Sequence, residues 1–154
     1  RRRGTLEPQD VFVRNWELLP PRASLRILAM NDMHGAFRPR PVGSLGNRGG
    51  FAQIAAMVRE AQAECAPLCT TLVLSGGDLF TGTPPSDLTK GALVVPVLNA
   101  IGFAAHALGN HEFDYGQDTL RVRMRQLTAP VLGANVTYAD GGDVEWIPND
   151  TLLE

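Results

Sequence analysis

Three short polar clusters in the chain carry side chains that could bind metal ions or move protons. The first holds Asp32 and His34, the second holds Asp78, and the third holds Asn110 and His111. Carboxylate, amide oxygen and imidazole together suit Mn, Zn, Fe or Co, and no thiolate is offered. Taken singly, each cluster is weak evidence for a metal site, because a turn-capping Asp beside a surface His is common in loops.

The three clusters are stronger evidence for a metal site when they are considered together. If strand geometry persists past Asn31, Asp32 and His34 project to the same side and can share one cation. Two cations about 3.5–4 Å apart need a shared ligand, and a carboxylate has the two oxygens for that task. The pattern therefore predicts Asp78 as the bridge, with Asp32 and His34 on one metal and Asn110 on the other.

His111 has a different range of roles, since an imidazole can act as acid, base or ligand. Asp114 follows three residues later and would orient the His111 ring if the segment turns helically. His106 stands inside a predicted strand, where a packed histidine is the better interpretation than a ligand.

The elements that must position these clusters alternate between strands and helices. Short apolar runs predict four strands, and apolar residues spaced three and four apart predict the first helix. This order indicates a layered α/β fold with substantial parallel pairing, in which sites lie at the carboxyl ends of strands. The predicted strands are 25–30 (a buried one), 71–74, 104–108 and 129–136, and the predicted helices begin at Gly50 and span 89–101 and 116–127.

Composition limits the classes of function. The chain has 154 residues, a formal charge of −2, 44% hydrophobic and 19% charged residues, which describes a globular segment with one core. The only basic run is Arg1–Arg3, so a nucleic-acid polymer is not an expected partner. No apolar run predicts a transmembrane segment. Cys65 and Cys69 are a weak zinc signal; small packing residues are the favoured interpretation, and a local disulfide stays open.

The motifs, read together, resemble a known family. Asn31–Gly35, Gly76–Asp78 and the run from Gly109 to Gly116 are similar, in order and spacing, to the metal-site motifs of calcineurin-like metallophosphoesterases. The forms N-D-x-H-G and G-N-H-E-F-D-Y-G resemble the 5′-nucleotidase branch in particular. The resemblance covers roughly residues 25–136 and implies a metallophosphoesterase-type fold of β-sheets flanked by helices.

The resemblance also implies a role for each matched position. Asp32 and His34 match ligands of a first metal, Asp78 the bridge and Asn110 a ligand of the second metal. His111 matches the catalytic histidine and Asp114 its partner, also catalytic. The implied reaction is hydrolysis of a small-molecule phosphoester such as a nucleotide, by a hydroxide that two divalent ions activate and His111 assists. The implied location is extracytoplasmic: periplasmic, secreted or cell-surface.

One departure from the family is informative. The family completes both metal shells with later histidines, and this chain has only His34, His106 and His111. We therefore expect residues 25–154 to be the amino-terminal part of a catalytic domain, preceded by an extended lead-in over 1–24. A missing carboxy-terminal region is expected to complete the site, so the 154 residues alone are expected to be weakly active or inactive.

Two alternatives stay open. One is a non-catalytic metal-binding fragment. The other is a related metallohydrolase that acts on sulfur esters and shares the metal scaffold.

Overall fold

The structure, a computed structural model, describes residues 24–153 and shows a parallel sheet with helices in its crossovers. The predicted lead-in over 1–24 lies outside the described residues apart from Ser24, which begins the first strand. In chain order the strands are β1 (Ser24–Met30), β2 (Arg40–Pro41), β3 (Asn47–Arg48), β4 (Cys69–Ser75), β5 (Ala105–Ala107) and β6 (Val131–Leu132). The helices are α1 (Phe51–Cys65), α2 (Pro84–Leu88), α3 (Val94–Ile101) and α4 (Gln117–Gln126), with short 3-10 turns at Gly43–Leu45 and Asn110–Phe113.

The main sheet has the strand order β1-β4-β5-β6, and all its pairs are parallel. Parallel neighbours need a crossover, and helices lie in each one: α1 between β1 and β4, α2 and α3 before β5, and α4 before β6. The predicted α/β fold is therefore confirmed. Since the strands run the same way, their carboxyl ends meet at one edge of the sheet. The two short strands β2 and β3 form a separate antiparallel hairpin.

The core lies between the sheet and its helices. On α1, Phe51 and Val58 are buried and Ile54 packs against them, as the spacing of its apolar residues predicts. Val73 of β4 and Leu98 of α3 are also buried in the same cluster. Burial of such side chains contributes roughly 1.5–3 kcal/mol each, so this cluster stabilises the edge where the strands end.

β1 is less buried than predicted. Its bounds are close to the predicted 25–30, but Leu25 and Ile27 are 50% and 56% exposed. β1 is at one edge of the sheet, and its alternate residues Leu28 and Met30 pack on the core, whereas Leu25 and Ile27 point to the other face. An apolar run of this length does not distinguish a strand covered on both faces from one covered on a single face.

Two other elements differ from their predicted bounds. The helix predicted over 89–101 begins only at Val94, so Pro96 lies in its first turn, where a missing N–H costs nothing. The strand predicted over 129–136 ends at Leu132, because the chain turns directly after it: the N–H of Val136 donates to the carbonyl of Gly133.

Cys65 and Cys69 form a disulfide that joins the end of α1 to the start of β4. The favoured interpretation, small packing residues, is therefore wrong for this pair, and the local disulfide is the one that the structure shows. Across residues 24–153, no helix combines the length and apolar character needed to cross a membrane.

Candidate metal centre

The loops after β1 and β4 run side by side at the carboxyl edge of the sheet. The backbone N–H of Asp32 donates to the carbonyl of Gly77 at 3.1 Å, and that of His34 donates to the carbonyl of Asp78 at 2.9 Å. These bonds extend the contact between the two strands beyond their last ladder pair, Met30 with Ser75. The first two polar clusters are thereby fixed against each other.

Asp32 and His34 converge by a different route from the one predicted. The strand ends at Met30, and both residues have left-handed backbone, with φ of 54° and 47°, so the expected strand extension is wrong. A turn brings the pair together instead, with His34 Nε2 3.6 Å from Asp32 Oδ1. Asp78 is also left-handed, with φ of 55°. Non-glycine residues seldom adopt this region, and such positions cluster at functional sites.

In both His34 and His111, a hydrogen bond holds Nδ1, and Nε2 is left for the site. His34 Nδ1 lies 2.7 Å from the carbonyl of Thr81; a carbonyl only accepts, so Nδ1 carries the proton. His111 Nδ1 lies 2.8 Å from Asp114 Oδ2. The Nε2 atoms then remain as the nitrogens that can bind a cation or exchange a proton.

The side chains of His34, Asp78 and His111 come together in one place. One potential ligand atom from each of the three lies within 4.8 Å of the others, and all three residues are half-buried. The His34 and His111 rings meet edge-on with centroids 5.1 Å apart. Two carboxylate-bearing loops and two imidazoles in this space suit a divalent transition metal.

The third cluster reaches the site through a 3-10 helix. Asn110 is its first residue, and its side chain is exposed. The N–H of His111 donates to Asp78 Oδ1 at 3.0 Å, which ties the start of this helix to the loop after β4. The predicted helical turn that would orient His111 is present, and Asp114 caps it.

The contact between His111 and Asp114 sets the charge of both groups. The hydrogen bond from His111 lowers the pKa of the Asp114 carboxyl. The same bond raises the pKa of His111 above its usual value, since the charged ring is favoured beside a carboxylate; Asp78 and Glu112 add to this. His111 is therefore biased towards its protonated form.

Two residues that sequence reasoning did not select hold the loops. Glu112 is 2% exposed and accepts three backbone N–H bonds, from Asp78, Leu79 and Gly109. Thr81 accepts from His34 through its carbonyl and donates its hydroxyl to the carbonyl of His111 at 2.9 Å. A Glu three residues after a helix-capping position is a signal for the first, since such a side chain reaches back to the capping N–H. Nothing in the sequence marks Thr81.

His106 lies apart from this cluster. It is 1% exposed in β5, next to the ring of Phe103 at 4.8 Å between centroids. Burial lowers the pKa of His106 to about 4, so the ring is neutral at physiological pH. This is the packed position that we expected for it.

Known proteins resemble this chain in sequence and structure. A 5′-nucleotidase of Vibrio vulnificus is 38% identical over 112 residues, which cover 73% of this chain and 20% of the relative. The NAD nucleotidase of Haemophilus influenzae superposes with a TM-score of 0.68 and 31% identity over 80% of this chain and 23% of that one. The sulfate thiohydrolase SoxB of Thermus thermophilus shares the fold, with a TM-score of 0.71 and 22% identity over 84% of this chain and 33% of that one.

The chain spans about a fifth of the length of the curated relatives that it matches. The family model for calcineurin-like phosphoesterases matches residues 25–152, which include all three polar clusters. With its parallel sheet and the convergence of His34, Asp78 and His111 at the sheet's carboxyl edge, the chain belongs to the calcineurin-like phosphoesterase family.

Proposed function

We propose that this chain supplies part of the active site of a metal-dependent phosphoester hydrolase, with nucleotides as the substrate class. The observation that carries the proposal is the meeting of His34, Asp78 and His111 within 4.8 Å, with Asp32 beside His34. These residues come from three loops that are distant in the sequence and converge at one place. Such convergence favours a built site over a chance cluster of charged surface residues.

The donor set fits a pair of divalent ions. Asp32 and His34 would hold one, Asn110 the other, and Asp78 would lie between them. The fit rests on the free Nε2 of His34, whose other nitrogen is fixed by Thr81, and on the carboxylates of two adjacent loops. When bound, such ions would neutralise charge on the phosphate oxygens and lower the pKa of a water molecule, which supplies the hydroxide that attacks phosphorus. Mn, Zn, Fe or Co would serve.

His111 is assigned to the leaving side of the reaction. Its Nδ1 is held by Asp114, so the protonated ring would direct an Nε2 proton at a developing charge. In the metal-free chain, the hydrogen bond to Asp114 raises the pKa of His111 and so favours this protonated form. Asp114 would fix the ring's orientation and stabilise its charge. The same Nε2 cannot both bind a cation and donate a proton, so this role and a ligand role for His111 are mutually exclusive.

Nucleotides are proposed as substrates because the relatives are named 5′-nucleotidase and NAD nucleotidase. An extracytoplasmic location is proposed with this activity. The Cys65–Cys69 disulfide supports it, since disulfides persist mainly in oxidising compartments.

Two other functions have specific support. The fold shared with SoxB makes sulfur-ester hydrolysis the rival chemistry. The second rival is a non-catalytic metal-binding piece. Among residues 24–153 the only further histidine, His106, is buried outside the cluster, so the donors present leave both metal shells unfilled. Water, substrate or side chains from another segment would have to complete them.

The test is a hydrolysis assay with manganese on the 154-residue chain and on any longer natural form of it. Nucleoside monophosphates, NAD, p-nitrophenyl phosphate and an organic thiosulfonate ester form the substrate panel. Release of phosphate from nucleoside monophosphates, or cleavage of NAD into two mononucleotides, supports the proposal, and turnover of the sulfur ester alone supports the rival. Metal uptake with no turnover in any form supports the binding piece.

His111→Ala is the matched variant for this assay. Loss of general acid assistance should lower kcat about 10²–10⁴-fold. Metal content, measured by elemental analysis, should stay at the wild-type level. Loss of metal would instead assign His111 as a ligand, and an unchanged rate would remove it from the reaction.

A further inference from the structure

Glu112 lies beneath the candidate site and joins two of its three loops. Its Oε2 accepts the N–H of Asp78 at 2.8 Å and that of Gly109 at 2.7 Å, while Oε1 accepts the N–H of Leu79 at 2.6 Å. Two of these donors belong to the loop after β4 and one to the loop after β5. One buried side chain therefore binds the backbone that carries Asp78 to the backbone that leads into Asn110 and His111.

The backbones of the two loops also touch directly, at Gly77 and Gly109. A Cβ on Gly77 would lie 2.8 Å from the Cα of Gly109, and a Cβ on Gly109 would lie 2.7 Å from the backbone nitrogen of Asp78. Only glycine permits such an approach. Closely packed backbones bring N–H groups together with like polarity, and an acceptor between them is needed to satisfy these groups. The Glu112 carboxylate meets that need.

We propose that Glu112 is a positioning residue for metal binding: by accepting all three N–H groups, it fixes Asp78 relative to Asn110 and His111. Asp78 has a left-handed backbone, a conformation that persists only when its surroundings enforce it. Two bonds enforce it here: Glu112 holds the Asp78 N–H, and Asp78 Oδ1 accepts the N–H of His111. The proposal rests on the proposed function, because it concerns the affinity of that site for cations.

Glu112→Gln is the sharpest variant, because it is nearly isosteric. Gln has one acceptor oxygen, and its amide NH₂ would face the N–H of Leu79 or the shared N–H pair of Asp78 and Gly109. Mn²⁺ affinity by calorimetry should fall at least tenfold. Amide hydrogen exchange of the metal-free chain should accelerate at Asp78, Leu79 and Gly109. Glu60→Gln, at an exposed position of α1, removes the same charge elsewhere and should change neither measurement.

Glu112→Asp separates geometry from charge and serves also if the Gln variant does not fold. Asp keeps the negative charge but is one methylene shorter, so it cannot reach all three donors. We expect the Mn²⁺ affinity of the Asp variant to lie between those of the wild type and the Gln variant.

Wild-type Mn²⁺ affinity in either Glu112 variant would overturn the proposal. In the Asp variant, it would show that only the charge of Glu112 is needed. A wild type that binds no Mn²⁺, neither as the 154-residue chain nor in any longer natural form of it, would overturn the proposed function together with this role. A wild-type chain that binds while the variants bind equally well would leave the site standing and remove only Glu112.

Discussion

At the scale of single residues, Asp78 combines three tasks in one position. Its carbonyl accepts the N–H of His34, its Oδ1 accepts the N–H of His111, and its carboxylate retains lone pairs for cations. The two neighbouring loops thus meet at this residue. This central position is the reason why we propose Asp78 as the bridge between the two ions.

Asp78→Ala should therefore release both metals, whereas loss of a ligand to one ion should release one. Elemental analysis after dialysis measures the metal-to-protein ratio. Asp78→Asn is a useful companion, since Asn tolerates left-handed backbone and keeps an oxygen for the His111 N–H while losing the charge. Asp118→Ala, at an exposed position in the first turn of α4, is the control. One ion retained in Asp78→Ala would show that Asp78 is not the bridge.

The pairing of His111 with Asp114 gives a prediction about protonation. The raised pKa of His111 comes first from the hydrogen bond to Asp114. Asp114→Asn should lower the pKa of His111, so the ring loses its proton at a lower pH. NMR titration of the ring in chelator-treated protein measures this directly, because bound cations, which would themselves lower the pKa of His111, are then absent. Asp118→Asn tests for a general charge effect. An unchanged titration in Asp114→Asn would contradict the assignment of the cause.

Residue types alone were enough to select the three clusters, because carboxylate, amide and imidazole ligands recur after apolar runs. The local backbone conformation was harder to predict from the sequence. Left-handed φ at Asp32 and His34 replaces the strand extension that we expected. Packing between neighbouring loops imposes it, and no pattern of neighbouring residues in the sequence reports contacts with a distant loop.

At the scale of elements, β5 carries a histidine where an apolar residue would be expected. His106 is buried beside Phe103, and among the described residues its Nδ1 has no hydrogen-bond partner. Desolvation disfavours the charged ring, which is why the pKa of His106 falls to about 4. Protonation of this ring therefore destabilises the packing around the strand.

Acid should therefore weaken the fold through His106. The pKa in the unfolded chain is near 6.5, so the unfolded state binds the proton first and stability falls from about pH 6.5 down to about pH 4. Between pH 7.5 and pH 5 this one group should cost about 2 kcal/mol of unfolding free energy. Urea unfolding at both values measures the loss. His106→Leu should remove this part of it, and an equal loss in the variant would assign the acid sensitivity to other groups.

The elements themselves were predictable to different degrees. α1 shows its apolar spacing plainly, and the structure places it at Phe51–Cys65. β6 is shorter than predicted because the chain turns between Gly133 and Val136, and apolar character alone does not mark where a strand ends. Exposure of Leu25 and Ile27 depends on which neighbours cover β1, and apolar character does not report that.

At the scale of the whole molecule, the convergence of the site follows from topology. Helical crossovers make the strands parallel, and parallel strands end at one edge. This step was predictable because the alternation of strands and helices is visible in the chain. The strand order and the support of the loops by Thr81 depend on three-dimensional packing that the sequence does not indicate, whereas the capping position of Glu112 is visible in the sequence.

The three donor loops are separated along the chain by entire crossovers, and they meet only when β1, β4 and β5 are paired. A cation held there would act as a removable cross-link of the sheet. Its binding free energy would then be folding free energy, since the unfolded chain has no such site. In a metal-poor environment the protein would then become scarcer, because proteases remove chains that open more often.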